Sequence, residues 1–255
     1  MNTPATTAPS TTGSVSVPKL GVNLNHFAEW ILNGAFTNAF LECKRWNGSP
    51  TLDADGWPTA GWPVSTSLMS NVGAANIRTG TYHVFFQGSG SISISGSATA
   101  TITASGQTFS ITAAVNAGIG VTIASSSAAP NHVRGIAVVH DDDLADYSAG
   151  ETFTDRFRGA ISATGSIIRF MDPLATNGSQ TINWADLPPT TFYSQNSASA
   201  SGVGSSTRGM SIDFAIELCN KTGCDLWLNV PHRATDAFCQ SLFATVKAHL
   251  SVGRI

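Results

Sequence analysis

The stretch "SIIRFMD", residues 166–172, decides how this chain is read. Ile167, Ile168, Phe170 and Met171 run together, with one arginine, Arg169, set among them and an aspartate at the end. A continuous apolar run of this length reads as a strand buried on both faces, the habit of a parallel sheet. Two other stretches share the habit. "KLGVNL" (19–24) is a short apolar strand closed by Asn23 and followed by Asn25. "CDLWLNVP" (224–231) breaks at a proline and presents Asn229, then His232, at its carboxyl end. Strands are thus expected near 20–24, 166–171 and 225–230.

Helical periodicity surrounds these runs. "AFTNAFLECKRW" (35–46), "TFTDRFRGAI" (152–161), "RGMSIDFAIELCNKTG" (208–223) and "ATDAFCQSLFATVKAHL" (234–250) space their apolar residues for one helix face, and Gly223 is a helix stop. Strands alternating with helices predict βα units of a parallel sheet.

Between the first unit and the second the texture changes. "TYHVFFQGSG", "SISISGSATATITASG", "QTFSITAAV", "GVTIASS" and "VRGIAVVH" alternate apolar residues with Ser and Thr at period two, separated by Gly-containing turns. Five or more half-buried strands predict a small antiparallel sandwich. Ile92, Ile94, Ile102, Phe109 and Ile111 hold the pattern through a segment that otherwise resembles low complexity.

Composition excludes several functions. Charged residues are 11% of the 255, and the net charge of −3 comes with no Lys/Arg cluster, so nucleic acid is not an expected partner. No apolar run approaches the roughly 20 residues of a membrane helix, so no membrane partner is expected. The amino end, "MNTPATTAPSTTGSVSVPK", has neither the basic start nor the apolar core of a secretory signal. Its reading is a polar arm over 1–18, on a protein that is extracellular or rides on a virion. Cys43, Cys219, Cys224 and Cys239 form no CxxC pair, and neither a metal nor a cofactor is expected. A bridge between Cys219 and Cys224 has no support beyond their proximity.

The stretches "GVNLNHFAEW" (21–30), "IIRFMDPLATNGS…INWADLPP" (167–189) and "CDLWLNVPHRATDAFCQSLFATVKAHL" (224–250) resemble the amino-terminal half of glycoside-hydrolase-like proteins. Those proteins have a (β/α)8 barrel interrupted after its first unit by a β-sandwich, and they occur among bacterial secreted proteins and phage particles. The resemblance implies an α/β fold, a partial TIM-type barrel carrying an inserted sandwich. Its parts would be the arm 1–18, a first barrel part over 19–75, the sandwich over 76–142 and a truncated barrel continuation over 143–255.

In the related retaining clan an arginine ends strand two, a histidine often ends strand three, and two glutamates supply the acid and the nucleophile. Arg169 matches the first position and His232 the second, but the glutamates have no counterpart before "SVGRI". The resemblance therefore implies one wall of a sugar site without the carboxylate pair that cleavage requires.

Each candidate has a plainer alternative. Arg169 holds a carboxylate, or it pairs internally with Asp172 or Asp186. His232 and Asn229 contact a sugar, or they cap local backbone. Asn23 and Asn25 line a cleft or end a strand. Trp57, Trp62 and Trp184 lie in loops, where flat faces suit sugar rings, or they fold back into the core. Asp141, Asp142 and Asp143 form a calcium site or a solvated acidic turn. "NGS" at Asn47 and Asn177 and "NKT" at Asn220 match glycosylation patterns.

Two functions follow. One is a glycan-recognising, virion-associated tail, baseplate or surface component whose partners are a polysaccharide or cell-surface glycan and other assembly subunits. The other is the amino-terminal fragment of an active retaining polysaccharide hydrolase. This chain alone is expected to show no glycosidase turnover. Three parallel strands cannot close a barrel, so the exposed edge after "LWLNV" is expected to be completed by more polypeptide or by other subunits, with the arm as a docking element.

Overall fold

The computed structural model of the chain describes residues 20–30, 34–70, 77–112, 118–198 and 209–251. The arm 1–18 and its expected docking role lie outside these residues.

The strands fall into three sheets. β1 (Gly21–Asn23), β9 (Ile167–Arg169) and β10 (Asp225–Trp227) form a parallel sheet in the order β1-β9-β10. β2 (Val64–Met69), β7 (Ile119–Ser126), β4 (Gly90–Gly96) and β5 (Ala100–Ile102) form an antiparallel sheet in that order. β6 (Gln107–Ile111), β3 (Gly80–Gln87) and β8 (Arg134–His140) form a second one. Inward residues of both antiparallel sheets, among them Ile92, Ile123, Val84 and Val138, meet in one core. That core starts earlier in the chain than the texture change suggests, because β2 precedes residue 76.

The expected partial (β/α)8 barrel is not what the chain forms. None of the three sheets closes, and the parallel one has three strands of three residues each. Two physical reasons are visible. First, the predicted helix over 35–46 is only a short 3-10 turn, Ala39–Glu42. Asn38 accounts for this, since its Oδ1 accepts the N–H groups of Phe40 (3.0 Å) and of Val138 in β8 (3.0 Å). A side chain that satisfies backbone in this way competes with helix formation. The apolar residues of the stretch then divide between two cores, Phe40, Cys43 and Trp46 joining the antiparallel sheets and Ala35 and Phe36 the parallel one.

Second, the parallel strands are buried on one face only. Val22, Ile168 and Leu226 point to the core under the helices, whereas Gly21, Asn23 and Trp227 are exposed on the other face. A barrel would bury that second face in its interior.

The helices are short. α1 (Leu144–Ser148) follows the acidic turn, and α2 (Asp155–Thr164) starts where Thr154 accepts the N–H of Phe157. α3 (Ile212–Thr222) ends at Gly223 in the left-handed region, and α4 (Asp236–His249) is capped by Thr235. α2 packs on α3, which packs on β10 and α4. Among the described residues no helix is long and apolar enough to cross a membrane.

The acidic turn serves structure. Arg78 donates to Asp142 (2.5 Å) and Asp143 (2.6 Å), and His83 pairs with Asp141 (2.9 Å). No cysteine is in a disulfide, and Cys224 contacts the carbonyl of Gly165 instead.

The turn between β3 and β4 shows where glycine is obligatory. Gly88 has φ +86°, and a Cβ there would lie 2.0 Å from the His132 carbonyl oxygen. Gly106 has φ +90° with open space around it. Gly106→Ala should therefore cost only the left-handed backbone penalty, about 1–2 kcal/mol. Gly88→Ala should cost at least about 2 kcal/mol more, because backbone must move. Urea midpoints of the two variants check the difference.

Candidate functional site

The site is built from the last paired residues of the parallel sheet. Asn23, Arg169 and Trp227 are in register across β1, β9 and β10, so their side chains stand in one row on the open face. One further bond on each side extends the ladder, Leu24 N–H to the Arg169 carbonyl (3.2 Å) and Phe170 N–H to the Trp227 carbonyl (3.1 Å). Beyond it, the segments that follow β1 and β9, together with Ser197 and Ala198, line a cleft.

Arg169 is held by neutral groups. Its Nε donates to Asn229 Oδ1 (3.3 Å), its Nη2 to Met171 Sδ (3.0 Å), and its guanidinium carbon lies 5.3 Å from the centroid of the Trp227 ring. The internal ion pairs considered for it do not form. Asp172 Oδ2 is reached by Asn23 Nδ2 across a long 3.5 Å, and Asp186 Oδ2 accepts the N–H groups of Ile182 (2.9 Å) and Asn183 (2.8 Å).

The cleft has a volume of about 430 Å³, and His26, Trp30, Met171, Asp172, Asn177 and Ser197 are on its walls. Trp30 is 41% exposed there and Trp227 is 51% exposed on the adjoining sheet face. The loop after β9 sets the position of Asp172. Ala175, another wall residue, has φ +46°, a strained choice for a residue with a Cβ. That turn is fixed by Ala175 N–H to the Asp172 carbonyl (2.9 Å), by Thr176 to the Met171 carbonyl, and by Met210 N–H to the Pro173 carbonyl (2.7 Å).

Under the cleft lies a buried polar seam. Residues 192–197, in the connection between β9 and α3, run between the two cores. Gln195 N–H donates to the Leu41 carbonyl (2.6 Å) and Ser197 N–H to the Phe27 carbonyl (2.9 Å). Ser197 Oγ accepts the Phe27 N–H and lies 3.2 Å from His26 Nδ1. Asn196 Nδ2 donates to Glu29 Oε2 (2.6 Å) and to the Glu42 carbonyl (3.0 Å). The Glu42 carboxyl is also buried, with Oε1 accepting the Ala35 N–H (3.3 Å). Desolvation pushes it up to about 8, only partly opposed by the N–H groups of Ala35 and Phe36 and by Arg156.

Of the sequence candidates, Arg169, Asn229 and Asn23 come together at the sheet end. Asn25 is next to them, but its Oδ1 accepts the His26 N–H (2.8 Å) and shapes the turn. His232 is exposed beyond Pro231, away from the cleft walls. The loop tryptophans are elsewhere. Trp57 is buried against Phe40, Trp46 and Tyr193, Trp62 packs on the antiparallel core, and Trp184 packs on Phe238.

Sequence reasoning missed Trp30, Trp227 and His26. Trp227 was within reach, because Leu226 and Trp227 repeat the inward–outward order of Ile168 and Arg169. Among the described residues no group of three or more His, Cys, Asp or Glu side chains is arranged to hold a metal. Comparison of the chain with protein-family models, curated proteins and solved structures found no match.

Proposed function

We propose that this chain binds a glycan at the carboxyl end of its parallel sheet and does not cleave it. The observation that carries the reading is two half-exposed tryptophans, Trp30 on the cleft wall with Asp172 and Asn177, and Trp227 on the adjoining sheet face in the row of Asn23 and Arg169. Indole faces take the C–H faces of sugar rings, while amides and carboxylates exchange hydrogen bonds with ring hydroxyls. Hydrolysis by the usual route needs two carboxyl groups on opposite sides of the scissile bond. Asp172 is the one carboxylate among the described residues on the cleft walls, which supports binding over turnover. A glycan-binding surface also suits the proposed virion component, whose other support is the charge-poor composition.

A glycan array probed with the chain tests this. Trp30→Ala and Trp227→Ala should each lower affinity for the retained glycans by about tenfold or more, a loss on the scale of an aromatic contact. Phe243→Ala, which removes an exposed ring on α4, should leave affinity unchanged. Glycan retention indifferent to both tryptophans would sink the reading.

A further inference from the structure

The strongest unexplained feature beside the cleft is the charge on Arg169, which stands on the adjoining sheet face and touches the cleft wall through Met171. The chain has 16 aspartates and glutamates, and every one lies among the described residues, none of them in an ion pair with Arg169. The side chain is partly buried in its row. A guanidinium taken partly out of water without an anion is costly, and the groups around this one are an amide oxygen, a thioether and an indole face.

Those same groups fix its orientation. Asn229 holds Nε, Met171 takes Nη2, and Trp227 supports the guanidinium through its ring face. Nη1 makes no hydrogen bond among the described residues. A planar fork, oriented in advance with one edge occupied only by a weak sulfur acceptor, is the arrangement that receives a carboxylate through two parallel bonds.

We infer that the glycan taken by this cleft is an acidic one, whose sugar carboxylate is clamped by Nη1 and Nη2 of Arg169. This rests on the glycan-binding reading and specifies its ligand class. Met171 Sδ yields its place on Nη2 to the incoming carboxylate. Asn23, Asn177 and Asp172 then face the hydroxyls of the same or the next ring. Asp172 favours a sugar over an acidic peptide. Its carboxylate accepts from hydroxyls, which a sugar offers in number, and repels a chain of carboxylates with none to offer.

The test uses the full chain and immobilised uronic-acid oligosaccharides, each paired with its methyl ester and its carboxyl-reduced neutral form, with a poly-glutamate peptide alongside. Binding of the acid form should exceed that of ester and neutral forms by at least tenfold and should weaken as salt rises. Arg169→Gln should remove that preference, bringing acid and ester to equal affinity, and Arg169→Lys should restore only part of it. If Arg169→Gln does not fold, the acid-against-ester comparison on the unaltered chain still decides.

Equal binding of acid, ester and neutral forms overturns the acidic-ligand inference and leaves glycan binding standing. Binding of no sugar in any form overturns both. Arg169-dependent capture of the poly-glutamate peptide in preference to the sugars overturns the sugar assignment.

Discussion

Glu42→Gln should abolish a loss of stability that the unaltered chain suffers as pH rises from 4.5 to about 8. The folded chain holds the Glu42 proton more tightly than the unfolded chain, whose carboxyl titrates near 4.5. Below 4.5 both states are protonated and the contribution of this group is fully present. Between the two values the unfolded chain releases the proton and the folded chain keeps it, so each pH unit costs about 1.4 kcal/mol. Above the folded value both are ionised and the loss is complete. Glutamine keeps an acceptor for the Ala35 N–H and has no proton to release, so it removes the slope. Urea denaturation of both chains at pH 5 and pH 8.5 reads the effect, and titrations shared by the two cancel in the difference. Parallel profiles would show that Glu42 is hydrated in the folded chain.

Asn196→Leu should be the most damaging change in the seam between the two cores. The Asn196 amide gives one hydrogen to the buried Glu29 carboxylate and the other to the Glu42 carbonyl, while its oxygen accepts the Ala198 N–H. Leucine keeps the branched shape and removes these three hydrogen bonds. Depriving a buried carboxylate of a 2.6 Å donor costs about 3 kcal/mol or more, well beyond the worth of one neutral hydrogen bond. Adding Glu29→Gln to Asn196→Leu should recover part of that loss, because an amide left short of a partner is less costly than a charge. Denaturant midpoints of the single and double variants measure the coupling. An additive double variant would mean that the two side chains stabilise the fold independently.

How much of this was legible depends on the element. The inward side chains of the antiparallel sheets are legible one by one, because Ile92, Ile94, Ile102, Phe109 and Ile111 alternate with hydroxyl residues and all five are buried. Gly223 marked a helix end by local chemistry, and the structure adds Thr154 and Thr235 as caps of the same local kind. The parallel strands misled for a physical reason. A strand of three paired residues buries a single inward side chain, which is compatible with one covered face or two, and nothing in "SIIRFMD" says whether a second layer exists. The barrel expectation assumed that layer. The helix over 35–46 failed through Asn38, whose partner in β8 is a hundred positions away and invisible to periodicity.

The candidate site divided in the same manner. Arg169 stood out because a charge inside an apolar strand demands a reason. Trp57 misled because a Gly/Pro-rich loop gave no sign that Phe40, Trp46 and Tyr193 would enclose it. Asn177 and Trp30 lie inside the stretches that carry the resemblance, yet neither stood out as a contact residue, because both reach the cleft through turns.

The antiparallel sheets are spliced into the middle of the parallel one, and this arrangement sets an order of assembly. β4 and β5 are joined by a short turn and zip locally, whereas Asn23 and Asp172, which meet at the cleft, are 149 positions apart. Closing so large a loop before any reward is gained is entropically costly, so folding is expected to start in the inserted sheets and to bring the ends of the parallel sheet together afterwards. The cleft is thereby expected to show weaker amide-exchange protection than β4 and β7, which hydrogen-exchange measurement checks. If the proposed ligand binds across β1, β9 and β10, it would join the two distant halves of the chain as a clasp does, and its binding energy would oppose local opening.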